Sequence, residues 1–149
     1  MRLERNIPLD TAPIAELLKN KDDLYLVWPK AEYPFDHDQW KEVLDPDKGN
    51  VPFLIYEGEK LIGHAAICKT DDTETYSLNF LYIIPELRSQ GLGEKMVKSL
   101  EQYARDNLGA KKLCLVVRTY NPRAMKCYKK CGFAELTREV TLMRMAKAL

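Results

Sequence analysis

The chain has 149 residues, with 23 Lys and Arg against 22 Asp and Glu and a formal net charge of +1. At roughly 100–200 residues per domain this is one domain covering residues 1–149, with room for a buried core and none for a second catalytic domain. The charge balance excludes a global field able to hold nucleic acid, and 46% hydrophobic with 30% charged residues excludes a disordered chain.

Apolar runs such as Leu113 to Val117 fall far short of the 18 or more residues of a spanning helix, so no membrane partner is expected. Met1-Arg2-Leu3-Glu4-Arg5-Asn6 carries charges where a secretion signal needs an apolar stretch, which points to the cytoplasm. Cys68, Cys114, Cys127 and Cys131 contain no Cys-x-x-Cys and read as reduced, packed thiols. With only His37 and His64 beside them, no zinc set is expected, and no metal.

Leu3 to Leu9 reads as a strand, and Asp10-Thr11-Ala12-Pro13 opens a helix that runs to about Lys19. Lys21 to Asp36 reads as a loop, unusually aromatic for a connection. A second helix is predicted from about Asp36 through Leu44, ending before Asp45-Pro46-Asp47. Val51 to Tyr56 and Lys60 to Thr70 are strands joined at Glu57-Gly58-Glu59, and Asp71 to Glu74 turns the chain into a strand from Tyr76 to Ile84.

The clearest helix starts near Gly91. Leu92, Met96, Leu100, Tyr103, Ala104 and Leu108 form one apolar stripe, Glu94 with Lys98 and Glu101 with Arg105 are expected on the outer face, and Gly109 stops it. Leu113 to Val117 reads as a strand buried on both faces and parallel to a neighbour, completing a β-α-β unit. Asn121-Pro122 caps a short helix running to about Lys130, stopped by Gly132, and Phe133 to Glu139 and Thr141 to Lys147 are the last strands. The order predicts a mixed α/β sheet.

Arg88-Ser89-Gln90-Gly91-Leu92-Gly93 lies between a strand and that helix. Glycines and the unpaired N–H groups of a first helical turn make a site for a pyrophosphate, with Arg88 as an added cation; two glycines there are equally the chemistry of a tight turn. Gly93 is followed by Glu94 rather than Lys-Ser/Thr, and no G-x-G-x-x-G is present, which excludes the common nucleotide-hydrolysis and dinucleotide motifs.

Tyr82-Ile83-Ile84-Pro85, then Arg88 to Gly93, then Asn121-Pro122-Arg123-Ala124-Met125-Lys126-Cys127-Tyr128 with Gly132-Phe133 resembles the GNAT superfamily of acetyl-CoA-dependent N-acyltransferases. The resemblance spans about Val51 to Phe133. It implies a central, mostly antiparallel sheet with a parallel β-α-β cofactor unit and helices on both faces. It also implies acetyl-CoA as co-substrate: backbone groups of a bulge around Tyr82 and Ile83 pair with the pantetheine arm, and the N–H groups of Arg88, Ser89, Gln90, Gly91, Leu92, Gly93 and Glu94 hold the pyrophosphate. Asn121 matches a pantetheine-binding residue that also caps its own helix, with a cap alone as the alternative, and Ala124 leaves room for the cofactor.

By the same resemblance Tyr128 is the acid that protonates the departing thiolate, against the alternative of a core tyrosine. Many relatives place a Glu on the central strand as base; here that strand offers Ser77 and Asn79, with Glu74 only at its start. His64 and Cys68 share a strand face, but at about 3.3 Å per residue they stand about 13 Å apart and form no catalytic pair. Arg123, Lys126, Lys129 and Lys130 suit either solvent or the 3′-phosphate of CoA. The acceptor site is expected in Trp28 to Asp38, with Asp71, Asp72 and Glu74 if they fold toward it. The implied activity is direct acetyl transfer to a primary amine of a small molecule; a protein N-terminus or lysine, or a non-catalytic CoA-binding sensor, are the alternatives. A homodimer is compatible with so short a chain.

Overall fold

The computed structural model describes residues 1–149. Its strands are β1 (Arg2–Arg5), β2 (Val51–Glu57), β3 (Lys60–Lys69), β4 (Thr75–Ile83), β5 (Lys112–Arg118), β6 (Ala134–Arg138) and β7 (Leu142–Ala148), in one sheet of order β1-β2-β3-β4-β5-β7-β6. The helices are α1 (Ala12–Leu17), α2 (Lys21–Val27), α3 (His37–Val43), α4 (Leu92–Leu108) and α5 (Pro122–Lys130). The β1–β2, β2–β3, β5–β7 and β6–β7 pairs are antiparallel, whereas β4 and β5 run parallel on either side of α4 in sequence. This is the mixed sheet that the element order predicts, mostly antiparallel with one parallel pair as the resemblance implies. The chain divides into two compact units, Met1–Cys68 with Phe80–Leu87 and Lys69–Asn79 with Arg88–Leu149, and β4 contributes to both.

In the first unit, Ile14, Leu18, Leu24, Trp40 and Leu44 are fully buried and cluster with Leu54, Ala66, Phe80 and Tyr82. Two sequence expectations change here. β1 ends at Arg5 rather than Leu9: the Asn6 N–H still bonds the Pro52 carbonyl at 2.8 Å, but Pro8 has no donor to continue the ladder. The segment Lys21 to Asp36 is not all loop, because α2 occupies its first half. Asn20 Oδ1 accepts from the Asp22 and Asp23 N–H groups at 2.9 and 3.1 Å, two acidic residues sit at the positive end of the helix, and Leu24 anchors it in the core. A helix this short shows too few repeats for its period to be read.

In the second unit α4 and α5 fall where predicted: α4 ends at a left-handed Gly109, and α5 opens at an Asn121 cap with Gly132 beyond its end. Glu101 does not face outward. It is 9% exposed among Met96, Val97, Leu100 and Ala104, and its Oε1 meets Lys147 Nζ at 2.6 Å, with Arg105 farther away at 3.7 Å. Lys147 also donates to the Cys131 carbonyl at 2.9 Å, so one ammonium ties β7 to both α4 and the end of α5. Glu94 pairs with Lys130 at 3.8 Å instead of Lys98. β5 is buried on one face only: Leu113, Leu115 and Val117 point inward while Val116 is 47% exposed, an alternation that its unbroken apolar composition conceals.

Candidate functional site

Within the second unit, the segment before α4 carries two left-handed residues, Ser89 at φ +62° and Gly91 at φ +80°. Alternating backbone handedness of this kind turns successive N–H groups toward one point and forms an anion-binding concavity. Gly91 is the N-cap of the 17-residue α4 and supplies no side chain to bond the first-turn N–H groups, which leaves them for an external acceptor. A Cβ at Gly91 would meet nothing within 4 Å, so the position is open as well as left-handed. Gly93 does different work: a Cβ there would lie 3.3 Å from Cys127 Sγ, so this glycine lets α4 approach α5. Arg88, Leu92 and Glu94 are half-buried, while Ser89 and Gln90 are exposed.

On α5, Asn121 Oδ1 accepts from the Ala124 N–H at 3.3 Å, the cap expected from sequence, leaving the amide hydrogens of Asn121 outside that bond. Ala124 and Tyr128 follow one turn apart. The Tyr128 ring meets Phe133 edge-on at 6.3 Å, and its carbonyl accepts from the Phe133 N–H at 3.0 Å. Its hydroxyl takes no protein partner, unlike a core tyrosine with a satisfied O–H. Burial raises the phenol above its ordinary value, the neighbouring Cys127 and Cys131 add to that, and Arg123 opposes it, so the proton is firmly in place at neutral pH. Cys127 is itself pushed up to about 12, chiefly by burial, which makes it a packing thiol rather than a nucleophile.

Also in this unit, Ser77 Oγ donates to Asn79 Oδ1 at 2.7 Å on half-buried β4. Glu74 lies at the opposite end of this stretch and pairs with Lys111 at 3.2 Å. Asp72 accepts from the Glu74 N–H and the Thr75 hydroxyl, bonds that hold its carboxyl below the usual range and mark it as a turn residue.

In the first unit, β4 leaves extended geometry at Phe80, φ +57°, two residues before Tyr82. Tyr82 and Ile83 follow, both buried, and the Tyr82 hydroxyl donates to Asp23 on α2 at 2.9 Å. His64 is fully buried, shares its Nδ1 with the Phe80 carbonyl at 3.0 Å, and forms no pair with Cys68. The residues expected to line an acceptor site divide. Trp28 packs on Trp40 and Phe80 at 5.0 and 5.4 Å, and Phe35 stacks on Trp40 at 5.5 Å, so both belong to the core. Asp36 caps α3 and His37 bonds Thr11 at 2.7 Å. Tyr33 is 49% exposed, with the Lys21 ammonium 5.3 Å from its ring, and Glu32 to Asp38 line a shallow surface depression.

The Lys147–Glu101 pair and the His64–Phe80 bond escape a reading of sequence, because each joins residues with no periodic relation. No group of three or more His, Cys, Asp or Glu is placed to hold a metal ion, and no helix is long and apolar enough to cross a membrane.

A parallel β4–β5 pair on either side of α4 in sequence, a left-handed turn before the uncapped start of α4 and an Asn-capped α5 define a mixed α/β class of fold. Residues 15–133 match the model of the acetyltransferase (GNAT) family, and the chain belongs to that family. It is 33% identical over 108 residues to the thialysine N-epsilon-acetyltransferase of Bos taurus, a match covering 72% of this chain and 61% of that protein. The chain thus aligns with less than two thirds of the length of this relative. Among solved structures, spermidine N-acetyltransferase from Vibrio cholerae in complex with CoA and spermine superposes with a TM-score of 0.79 at 21% identity, covering 99% of this chain and 94% of that one. The N-acetyltransferase PseH of Campylobacter jejuni in complex with acetyl coenzyme A gives 0.72 at 21% identity over 99% and 97%.

Proposed function

We propose that the protein transfers an acetyl group from acetyl-CoA to the primary amine of a small molecule. The observation that carries this reading is the Ser89–Gly91 turn opening onto the uncapped start of α4, with open space at Gly91. Backbone N–H groups of Arg88 to Glu94 hold the pyrophosphate there, Asn121 donates to the pantetheine from its free amide hydrogens, and Ala124 keeps the face of α5 low. Backbone groups of Tyr82 and Ile83 pair with the cofactor arm. Support for the acceptor class comes from relatives named for thialysine and spermidine, both carrying an amine on a flexible aliphatic chain.

The chemistry follows from these residues. An alkylamine with a pKa of about 10.4 must first lose a proton. Ser77 and Asn79 offer a hydroxyl and an amide, neither of which accepts a proton at neutral pH, so that proton leaves through water and the pair orients the water or the amine. The amine nitrogen attacks the thioester carbonyl, the C–N bond forms and the C–S bond breaks. Tyr128 gives its phenolic proton to the departing thiolate and is reprotonated from solvent. The four free cysteines support a reducing compartment and hence the cytoplasm.

The test pairs calorimetry of CoA with the wild-type chain and an acetylation panel of thialysine, spermidine and lysine peptides. Micromolar CoA binding with turnover of the small amines is expected. Saturation only by peptides would overturn the acceptor class, and no CoA binding would overturn the whole reading.

A further inference from the structure

β4 bends at an aromatic residue, Phe80, whose φ of +57° is a region that residues other than glycine rarely occupy. The bend turns its peptide out of the regular ladder inside a buried cluster, where a carbonyl needs a donor. His64 supplies one: its Nδ1–H donates to the Phe80 oxygen at 3.0 Å from a side chain with no exposed surface. A carbonyl only accepts, so this bond fixes the tautomer with hydrogen on Nδ1. Nε2 is left bare and buried without a partner, beside a Trp40 whose indole nitrogen is also unpartnered. At a site among Trp40, Leu54, Ala66 and Phe80, an aliphatic side chain would fill the space without burying an unpaired nitrogen.

The neighbouring residues of β3 act on the same stretch. A Cβ on Gly63 would lie 2.3 Å from the Tyr82 oxygen, so only glycine lets β3 come this close, and the Ile62 carbonyl accepts from the Ile84 N–H at 2.8 Å. Ile62, Gly63 and His64 thus set Ile84, Tyr82 and Phe80 by a main-chain bond, a missing side chain and a side-chain bond.

We propose that His64 is a positioning residue for the acetyl-CoA site, holding the Phe80 carbonyl so that the bent stretch presents Tyr82 and Ile83 to the cofactor arm. This rests on the assignment of Tyr82 and Ile83 to that arm. Asparagine places an N–H donor near the position of Nδ1, whereas the longer glutamine carries its donor to the reach of Nε2. CoA affinity is read by calorimetry, and KM for acetyl-CoA and for the amine separately, on wild type, His64→Asn, His64→Gln and His64→Ala. The expected result is a loss of about tenfold in CoA affinity, and a matching rise in the acetyl-CoA KM, for Ala and Gln. His64→Asn is expected within about threefold of wild type, with the amine KM unchanged throughout. Nitrogen NMR of wild type should show hydrogen on Nδ1 and a bare Nε2.

If His64→Ala does not fold, the Asn and Gln pair decides. Equal losses in Asn and Gln, CoA affinity unchanged in a folded Ala or Gln variant, or hydrogen on Nε2 would each overturn the role of His64. Absence of CoA binding by wild type would instead overturn the acetyl-CoA reading itself.

Discussion

Gly91 and Gly109 stand at opposite ends of α4, and together they separate backbone strain from ligand contact. Both are left-handed, at φ +80° and +63°, and a Cβ at either would meet nothing within 4 Å. Alanine at either position therefore pays the same conformational penalty, about 1 kcal/mol, with no clash added. For a chain of this size that lowers the melting temperature by about 2–4 °C. If the CoA pyrophosphate rests on the backbone of the Ser89–Gly91 turn, a methyl at Gly91 also stands where phosphate oxygens must come, and CoA affinity should fall at least about tenfold, or ~1.4 kcal/mol. Gly109→Ala should bind CoA as wild type does. Calorimetric titration of CoA, with thermal unfolding of each variant, reads both quantities. Gly91→Glu, which adds a negative charge at the same place, should abolish binding. Equal CoA affinity in Gly91→Ala and Gly109→Ala, with equal stability loss, would refute the assignment of this turn to the pyrophosphate.

Tyr128→Phe should lower kcat by about 10²–10⁴-fold with the acetyl-CoA KM and the melting temperature nearly unchanged, because the hydroxyl bonds no protein group; steady-state kinetics checks this. Lys147→Met should destabilise by about 2–3 kcal/mol in denaturant titration by leaving Glu101 buried without its ammonium, and adding Glu101→Gln should recover part of that loss. Stability should fall on acidification from pH 6.5 to about 4, because the unfolded chain protonates His64 in that window while burial holds the folded side chain neutral with a pKa lowered to about 4. The stabilisation is complete above pH 6.5 and its loss amounts to about 3 kcal/mol, a slope that His64→Asn should flatten in urea titrations across that range.

The parts legible in the sequence are those whose physics is local. α4 declares itself by a long apolar stripe and a glycine stop, and α5 by Asn121-Pro122 at one end and Gly132 beyond the other, because caps and periods are properties of contiguous residues. The turn before α4 is visible for the same reason: Gly91 is required by its own φ. Phe80 adopts the same handedness with no residue-type signal, so the bend of β4 is placed near Tyr82 and Ile83 by resemblance and at Phe80 only by the fold. Glu101 shows the complementary failure. Its i,i+4 partner Arg105 makes an exposed pair the natural reading, and only the return of β7 brings Lys147 within 2.6 Å.

The aromatic segment carries the sharper lesson: its composition suggests recognition, and most of its rings are architecture. Trp28 and Phe35 close the hydrophobic cluster around Trp40, Asp36 caps α3, and His37 is bonded to Thr11. Three short helices cannot each bury a full apolar face, so large rings between them complete the core with few residues. Glu32, Tyr33 and Asp38 are exposed members of the segment, together with Pro29, Lys30, Pro34, Asp36 and His37. Two carboxylates and a phenol face are chemistry suited to an ammonium group, and Lys21 already places one over Tyr33. An acceptor site in this segment would therefore rest on its exposed polar positions around Tyr33 rather than on its aromatic content.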